Sequence, residues 1–179
     1  MKEDSMDGFM IRKVVPIEVA AVVNALNKMW VDTFGNSVYG HTKESAISLR
    51  QEKYNKRVVE DITQQAEKEF LDTDTIWFAV MSLEKIIGVS KLVREKAGIE
   101  LNSLFIEPEV RNRGIGEWLM NHSLAHTAVE KPVHLWVAEK NISAQNFYLK
   151  NGFNFIAGST DNDNGGIKYL KMIRDYRSK

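Results

Sequence analysis

Apolar and polar residues alternate along this chain with two different periods, and the changes between the periods predict its secondary structure. Seven short runs rich in β-branched and aromatic residues have the length and composition of strands. They span residues 9–15, 76–81, 86–93, 99–106, 133–138, 153–157 and 167–173. Helices are predicted at 19–31, from Thr42 to residue 70, at 114–130, and in a short segment ending at residue 152 with Ser143 as its N-cap. A polar loop is predicted at 159–166.

The longest predicted helix carries a regular apolar stripe. Apolar side chains recur every four residues, at Tyr54, Val58, Ile62, Ala66 and Phe70, with charged and amide side chains between them. This spacing places them on one helix face, and packing against the core is the favoured interpretation.

The order of elements, β-α-α-β-β-β-α-β-α-β-β, mixes strands and helices from end to end. No internal repeat, low-complexity tract or linker interrupts it, and 179 residues is an ordinary length for one domain. We therefore expect a single α/β (α+β) domain over residues 1–179, with an ordered core over about 9–173 and a mixed sheet.

Composition and charge exclude several classes of protein. The 24 basic and 24 acidic side chains cancel, whereas general nucleic-acid binders carry a basic excess, so no nucleic-acid partner is expected. The absence of cysteine excludes a thiolate nucleophile and a cysteine zinc site. The four histidines are not clustered like metal ligands, so no metal is expected. Residues 1–9 do not resemble a signal peptide and no apolar run could span a bilayer, which favours a cytoplasmic protein without a membrane partner.

The sharpest local signal is a glycine-rich helix start directly after a predicted strand. The segment is Glu107-Pro108-Glu109-Val110-Arg111-Asn112-Arg113-Gly114-Ile115-Gly116. The first N–H groups of a helix lack partners within the helix, and the helix dipole favours an anion beside them. Glycines let a ligand approach the backbone, and the two arginines add positive charge, so the segment predicts a pyrophosphate site. A Rossmann fingerprint would need glycine where Leu119 stands, a P-loop would need Gly-Lys-Ser/Thr, and a simple structural turn is the alternative.

Two segments resemble motifs of the GCN5-related N-acetyltransferase (GNAT) superfamily. The pattern Arg111-x-x-Gly114-x-Gly116, after a strand ending in Leu-Phe-Ile-Glu, is similar to motif A, and the segment NISAQNFYLKNGF at 141–153 is similar to motif B. The resemblance extends over the whole order of elements. It implies a mixed, mostly antiparallel sheet of about seven strands flanked by about four helices, with a V-shaped splay between strands 99–106 and 133–138.

The resemblance also implies acetyl-coenzyme A as the acetyl donor. The pantetheine arm would lie in the splay like an added strand, and the N–H groups of residues 112–117 would bind the pyrophosphate. Asn141 would either cap its helix or bind the pantetheine arm. The residues implied in coenzyme A binding are Leu104, Phe105, Ile106, Arg111, Asn112, Arg113, Gly114, Ile115, Gly116, Glu117, Asn141, Ala144, Phe147 and Tyr148.

Two residues are candidates for proton transfer when an amine attacks the thioester. Tyr148 stands where the superfamily carries its proton donor, and a phenol can protonate a leaving thiolate. Packing beside Phe147 and Phe153 is the alternative role. Glu100 stands where many members carry a base, although others use ordered water. Its alternation with Asn102 and Leu104 predicts that all three share one face of a strand. Without cysteine, direct transfer in a ternary complex is expected.

The acetyl acceptor is less sharply indicated. The segments at 32–35 and 136–141 resemble the bacterial branch that includes PaiA-type polyamine acetyltransferases, which implies a small polycation. Asp32 and Glu44, with Asp161 or Asp163, would then contact it. A protein or peptide amine, an aminoglycoside-like amine, a non-catalytic coenzyme A sensor and a homodimer stay open. Leu119 disfavours a nucleotide-binding oxidoreductase.

Overall fold

The computed structural model describes residues 4–53, 74–126, 131–162 and 165–175, without the side chains of residues 51–53. The strands in these ranges are β1 (Asp4–Met6), β2 (Phe9–Lys13), β3 (Thr75–Ser82), β4 (Lys85–Arg94), β5 (Ile99–Ile106), β6 (Val133–Ala138), β7 (Asn154–Asn162) and β8 (Lys168–Arg174). The helices are α1 (Val19–Phe34), α2 (Lys43–Lys53), α3 (Ile115–Ala125) and α4 (Ile142–Lys150).

All the described strands form one sheet in the order β1-β2-β3-β4-β5-β6-β8-β7. Every neighbouring pair is antiparallel except β5 and β6, which are parallel and joined through α3. The predicted mixed, mostly antiparallel sheet is confirmed. It has one strand more than expected, because Asp7 and Gly8 adopt positive φ angles and turn the polar segment at 4–6 back onto β2.

Strands β5 and β6 separate soon after they meet. They pair only at Ile99 with Val133 and at Glu100 with His134. Further along, β5 stays paired with β4 and β6 stays paired with β8, each on its outer edge. The inner edges of the two strands therefore diverge, and the predicted V-shaped opening is present.

The two faces of the sheet are buried by different helices. On one face, Ile115 and Leu119 of α3 pack in a cluster with Phe78 and Leu92. On the other face, α1 covers a cluster that includes Trp77. Successive residues of β3 point to opposite faces, so this strand is apolar throughout and contributes to both layers.

Several predicted boundaries differ from the structure. The N-cap of α4 is Asn141, whose Oδ1 accepts a hydrogen bond from the Ala144 N–H at 3.1 Å. The predicted cap at Ser143 was therefore wrong, and the cap role that the resemblance implied as one of two for Asn141 is confirmed. The loop predicted at 159–166 is partly strand, because β7 resumes its pairing with β8 at Thr160 after a register shift. The apolar stripe from Tyr54 to Phe70 and the predicted helix end at 127–130 lie outside the described residues.

Candidate active site

The opening between β5 and β6 leads into a cavity of about 1640 Å³. Its walls come from α1, α2, β5, the start of α3, the end of β6, and α4. Twelve of the fourteen residues implied in coenzyme A binding line it, namely Leu104, Phe105, Ile106, Arg111, Asn112, Gly114, Gly116, Glu117, Asn141, Ala144, Phe147 and Tyr148. The cavity also contacts Glu100, Asp32 and Asp161. The fold thus brings together residues that stand far apart in the chain.

The glycine-rich loop leaves the start of α3 open. Gly114 is the N-cap, with a φ of 78°, and no side chain of the described residues caps the first turn. Asn112 also has a positive φ, of 61°. A Cβ added to Gly114 would meet no atom within 4 Å, so the backbone faces open space. The uncapped N–H groups and the helix dipole suit an anion such as a pyrophosphate.

The two arginines of the loop have different positions. Arg111 donates from Nε to the Ile106 carbonyl at 2.9 Å and from Nη2 to the Thr33 hydroxyl at 3.2 Å, which ties the loop to β5 and α1. The guanidinium of Arg113 lies 5.1 Å from the ring centre of Phe9, away from the residues that line the cavity. Ile115 is buried in the core. Arg113 and Ile115, which the resemblance implied in coenzyme A binding, are therefore not among the described residues that line the cavity.

A buried carboxylate that the sequence analysis did not identify as functional, Glu107, lies directly before this loop at the end of β5. Glu107 is 4% exposed and accepts from Lys85 Nζ at 2.5 Å and from Lys28 Nζ at 3.2 Å. Burial alone would raise the pKa of Glu107, but the two ammonium groups hold that pKa below its ordinary value. The partners stand at 28 and 85, so no local pattern could have revealed the cluster.

The same network neutralises one of the predicted acceptor contacts. Asp32 pairs with Lys28 at 3.2 Å and with Lys43 at 3.4 Å. Burial would raise the pKa of Asp32, yet the hydrogen bonds from these lysines lower it. Asp32 lines the cavity as a carboxylate already matched by two cations.

We expect the Glu107→Gln variant to be less stable than the parent by about 1–3 kcal/mol at pH 7, the usual effect of removing a hydrogen bond to a buried charged group. Because the pKa of Glu107 is lowered in the folded state, its contribution is complete above the ordinary carboxyl pKa of 4.5. That contribution is lost as the pH falls through the lower folded value. Urea unfolding at several pH values measures this difference. A difference that did not shrink in acid would contradict the assigned ion pairs.

Helix α4, which carries Tyr148, is joined to the end of β6 by side-chain hydrogen bonds. Gln145, a residue that sequence reasoning did not single out, donates from Nε2 to the carbonyls of Ala138 and Glu139 at 3.1 and 2.7 Å, which joins α4 to the end of β6. The Tyr148 ring packs edge-on against Phe153, 5.6 Å between centres. Burial raises the pKa of the Tyr148 hydroxyl, so the group stays protonated at neutral pH. Tyr148 is thus a buried residue that also lines the cavity.

Glu100 and Leu104 lie on opposite faces of the sheet, although their spacing predicted a shared face. Between β4 and β5, Lys91 pairs with Ser103 but Leu92 pairs with Leu101, so Asn102 is the extra residue of a β-bulge. The bulge breaks the simple alternation, and the prediction that Glu100 shares a face with Leu104 was wrong. Glu100 shares its face with Ser103 and Phe105, on the side covered by α1.

The remaining predicted acceptor contacts are scattered. Asp161 lines the cavity, whereas Glu44 is exposed in the first turn of α2 and does not appear among the lining residues that the structure describes. Asp163 lies outside the described residues.

Two absences hold for the described part of the chain. There, no three histidine, aspartate or glutamate side chains come close enough together to hold a metal ion. Over the same ranges, no helix combines the length and apolar character needed to cross a bilayer.

This architecture is shared with solved acetyltransferase structures, to which the likeness is one of fold. The PaiA N-acetyltransferase of Thermoplasma acidophilum, solved in complex with coenzyme A, superposes with a TM-score of 0.67 at 20% identity, over 94% of this chain and 99% of that one. A chimera built on the spermidine N-acetyltransferase SpeG of Vibrio cholerae superposes with a TM-score of 0.66 at 18% identity, over 95% and 96% of the two chains.

Residues 40–175 match the model of the acetyltransferase (GNAT) domain, and the chain belongs to this family, as its two motifs predicted. The chain is similar to the peptidyl-lysine N-acetyltransferase YjaB of Salmonella typhimurium, at 33% identity over 101 residues. The YjaB protein of Escherichia coli is also 33% identical, over 102 residues. These alignments cover 56% and 57% of this chain and 64% of the length of each relative.

Proposed function

We propose that this protein is an N-acetyltransferase that transfers the acetyl group of acetyl-coenzyme A to a primary amine in a ternary complex. The observation that carries the proposal is the opening between β5 and β6, bordered by the uncapped glycine-rich start of α3, in a chain of the GNAT family. The proposal treats residues 1–179 as a single catalytic domain.

Two backbone features are suited to bind the donor. The inner edge of β5 near Leu104 and Ile106 is free of sheet pairing with β6, so the amide-bearing pantetheine arm can add there like a strand. The N–H groups of residues 112–117 would hold the pyrophosphate at the start of α3. Asn141 uses its Oδ1 to cap α4, which leaves its amide nitrogen for the arm.

Acetyl-coenzyme A, when bound, supplies an activated thioester. Residues of this chain would accept the proton of the amine and donate a proton to the leaving thiolate. An alkylamine has a pKa near 10.4, so deprotonation at pH 7 costs about 4–5 kcal/mol. Glu100, on the α1 face of β5, would accept this proton directly or through one water. Tyr148 would donate its hydroxyl proton to the thiolate that leaves, since a phenol is protonated at neutral pH.

The Glu100→Gln variant tests the proposed base. Glutamine keeps the shape and removes the basicity, so kcat/KM should fall strongly at pH 7. The loss should shrink at high pH, where free amine is abundant without help. A pH profile of kcat/KM measures it. No change at any pH would assign the proton to water, and an equal loss at every pH would make Glu100 a binding residue for the amine.

The activity itself is tested by thiol release from acetyl-coenzyme A with a panel of amines that includes polyamines and short lysine peptides. Release that depends on an amine supports the proposal. Tight coenzyme A binding without turnover on any amine would favour a non-catalytic sensor instead. Polyamines are included because a structure with the same fold is named a spermidine N-acetyltransferase. Lysine peptides are included because the relatives in sequence are named peptidyl-lysine N-acetyltransferases.

A further inference from the structure

We propose, on the basis of the acetyltransferase function above, that Thr33 is a positioning residue for the acetyl donor. Its hydroxyl, on the last turn of α1, holds the guanidinium of Arg111 in the orientation that binds the pyrophosphate of coenzyme A. Thr33 and Arg111 stand 78 positions apart in the chain, and both line the cavity. A residue of α1 would thus contribute to a donor site that is otherwise built from β5, the glycine-rich loop and α4.

The Thr33 hydroxyl is oriented as a hydrogen-bond acceptor. Its Oγ1 donates to the Met29 carbonyl, one helical turn earlier, at 2.8 Å. A hydroxyl has a single proton, so the oxygen can only accept from a further partner. Arg111 Nη2 donates to this oxygen at 3.2 Å. A guanidinium offers donors and no acceptor, so the two groups are complementary in this sense alone.

The second bond of Arg111 places it at the edge where the donor arm would add. Its Nε donates to the Ile106 carbonyl at 2.9 Å. That carbonyl and the Glu107 N–H belong to one peptide group, and the two point in opposite directions across a trans peptide. The Glu107 N–H donates to the Ile87 carbonyl of β4 at 2.9 Å, so the Ile106 carbonyl points away from β4, toward the opening. Arg111 therefore lies between the inner edge of β5 and the pyrophosphate loop.

The two bonds orient a side chain that would otherwise rotate freely. Arg111 is exposed, and a long exposed side chain occupies many rotamers until contacts hold it. Bonds from Nε and Nη2 set the plane of the guanidinium, whose other N–H groups can donate to phosphate oxygens. Because the group is held before the ligand arrives, less conformational entropy is lost when coenzyme A binds.

Helix α1 is joined to the same region at a second point. Lys28 Nζ lies 3.2 Å from Glu107 Oε1 and 3.2 Å from Asp32 Oδ2, next to Thr33 in the helix. Glu107 is buried and follows β5 directly. These ion pairs connect the last turns of α1 to the end of β5. They thereby hold Thr33 within reach of Arg111.

Isothermal titration with coenzyme A tests the role of Thr33. Thr33→Val keeps the shape of the side chain and removes the acceptor oxygen. We expect it to bind coenzyme A about tenfold more weakly, the usual effect of losing a hydrogen bond to a charged group. Thr33→Ser keeps the hydroxyl and should stay within twofold of the parent. Thr75→Val is the matched control, since Thr75 is also half-buried but is not among the described residues that line the cavity.

Two further measurements separate positioning from a general structural role. In steady-state kinetics of Thr33→Val, KM for acetyl-coenzyme A should rise about tenfold, while kcat and KM for the amine should change less than twofold. Arg111→Met should also weaken coenzyme A binding. The double variant should then bind coenzyme A no more weakly than Arg111→Met alone, because Thr33 acts through Arg111.

Unchanged coenzyme A affinity in Thr33→Val would overturn the proposal, as would a Thr33→Ser variant as weak as Thr33→Val. Losses that add in the double variant would also overturn it, because Thr33 would then act independently of Arg111. If Thr33→Val does not fold by urea unfolding, Thr33→Ala removes the same oxygen and is held to the same outcomes. A parent protein that does not bind coenzyme A would refute the proposed function together with this role. A parent that binds, with Thr33→Val equal to it, would refute the role of Thr33 alone.

Discussion

The Gly114→Glu variant should bind coenzyme A at least about 100-fold more weakly than the parent, since like charges in contact cost several kcal/mol and each 1.4 kcal/mol is tenfold. The position lines the cavity at the start of α3, where a Cβ meets open space and no protein atom. The new side chain would thus enter the space assigned to the pyrophosphate, and its carboxylate would repel the phosphates. Isothermal titration with coenzyme A measures the change.

The matched control for this variant is Gly8→Glu. Gly8 has a φ of 81°, close to the 78° of Gly114, and a Cβ there also meets no atom within 4 Å. Both variants therefore place the same charged side chain at a similar positive φ, but Gly8 lies in the turn between β1 and β2 at one edge of the sheet. We expect Gly8→Glu to bind coenzyme A like the parent. A folded Gly114→Glu protein with unchanged affinity would refute the assigned loop.

The Tyr148→Phe variant should turn over about 10² to 10⁴ times more slowly, the usual contribution of a general acid. The substitution removes one hydroxyl and keeps the ring that packs against Phe153, so stability and acetyl-coenzyme A affinity should be nearly unchanged. Because burial raises the pKa of Tyr148, the phenol stays protonated well above neutral pH. The loss should therefore be constant between pH 6 and pH 9 by steady-state kinetics, unlike the loss expected for Glu100→Gln.

Tyr39→Phe is the control for the loss of a tyrosine hydroxyl. Tyr39 lines the same cavity from the turn after α1, where burial also raises its pKa, but it lies outside motif B. We expect its turnover to stay within twofold of the parent. A Tyr148→Phe enzyme that was equally fast would remove Tyr148 from the mechanism and leave it a packing residue.

The sequence predicted correctly those features that depend on residues close together in the chain. The bounds of β5 and β6 agree with the predicted 99–106 and 133–138, because β5 is followed closely by Pro108 and β6 is a short apolar run followed by a polar turn. The glycine-rich loop was recognisable because its two glycines stand directly between a strand and a helix. In the structure Gly114 has a positive φ and no side chain of the described residues caps the first turn of α3. Motif B likewise placed Tyr148 on a helix that lines the cavity.

Sequence alone could not predict the direction of Glu100. A strand alternates with a period of two, so one inserted residue reverses every side chain beyond it. The bulge at Asn102 becomes visible only through the register between β4 and β5, which the sequence of β5 does not encode locally.

The sequence by itself determined the class of fold, the family and the place of the donor loop, because these depend on periodicity and on two contiguous motifs. The tertiary structure decided which charges are paired. It brought Lys28 and Lys85 onto Glu107 and matched Asp32 with Lys28 and Lys43. These pairs join residues up to about 80 positions apart, and the energy of a charge depends on its neighbours in space and on its burial, neither of which follows from its position along the chain.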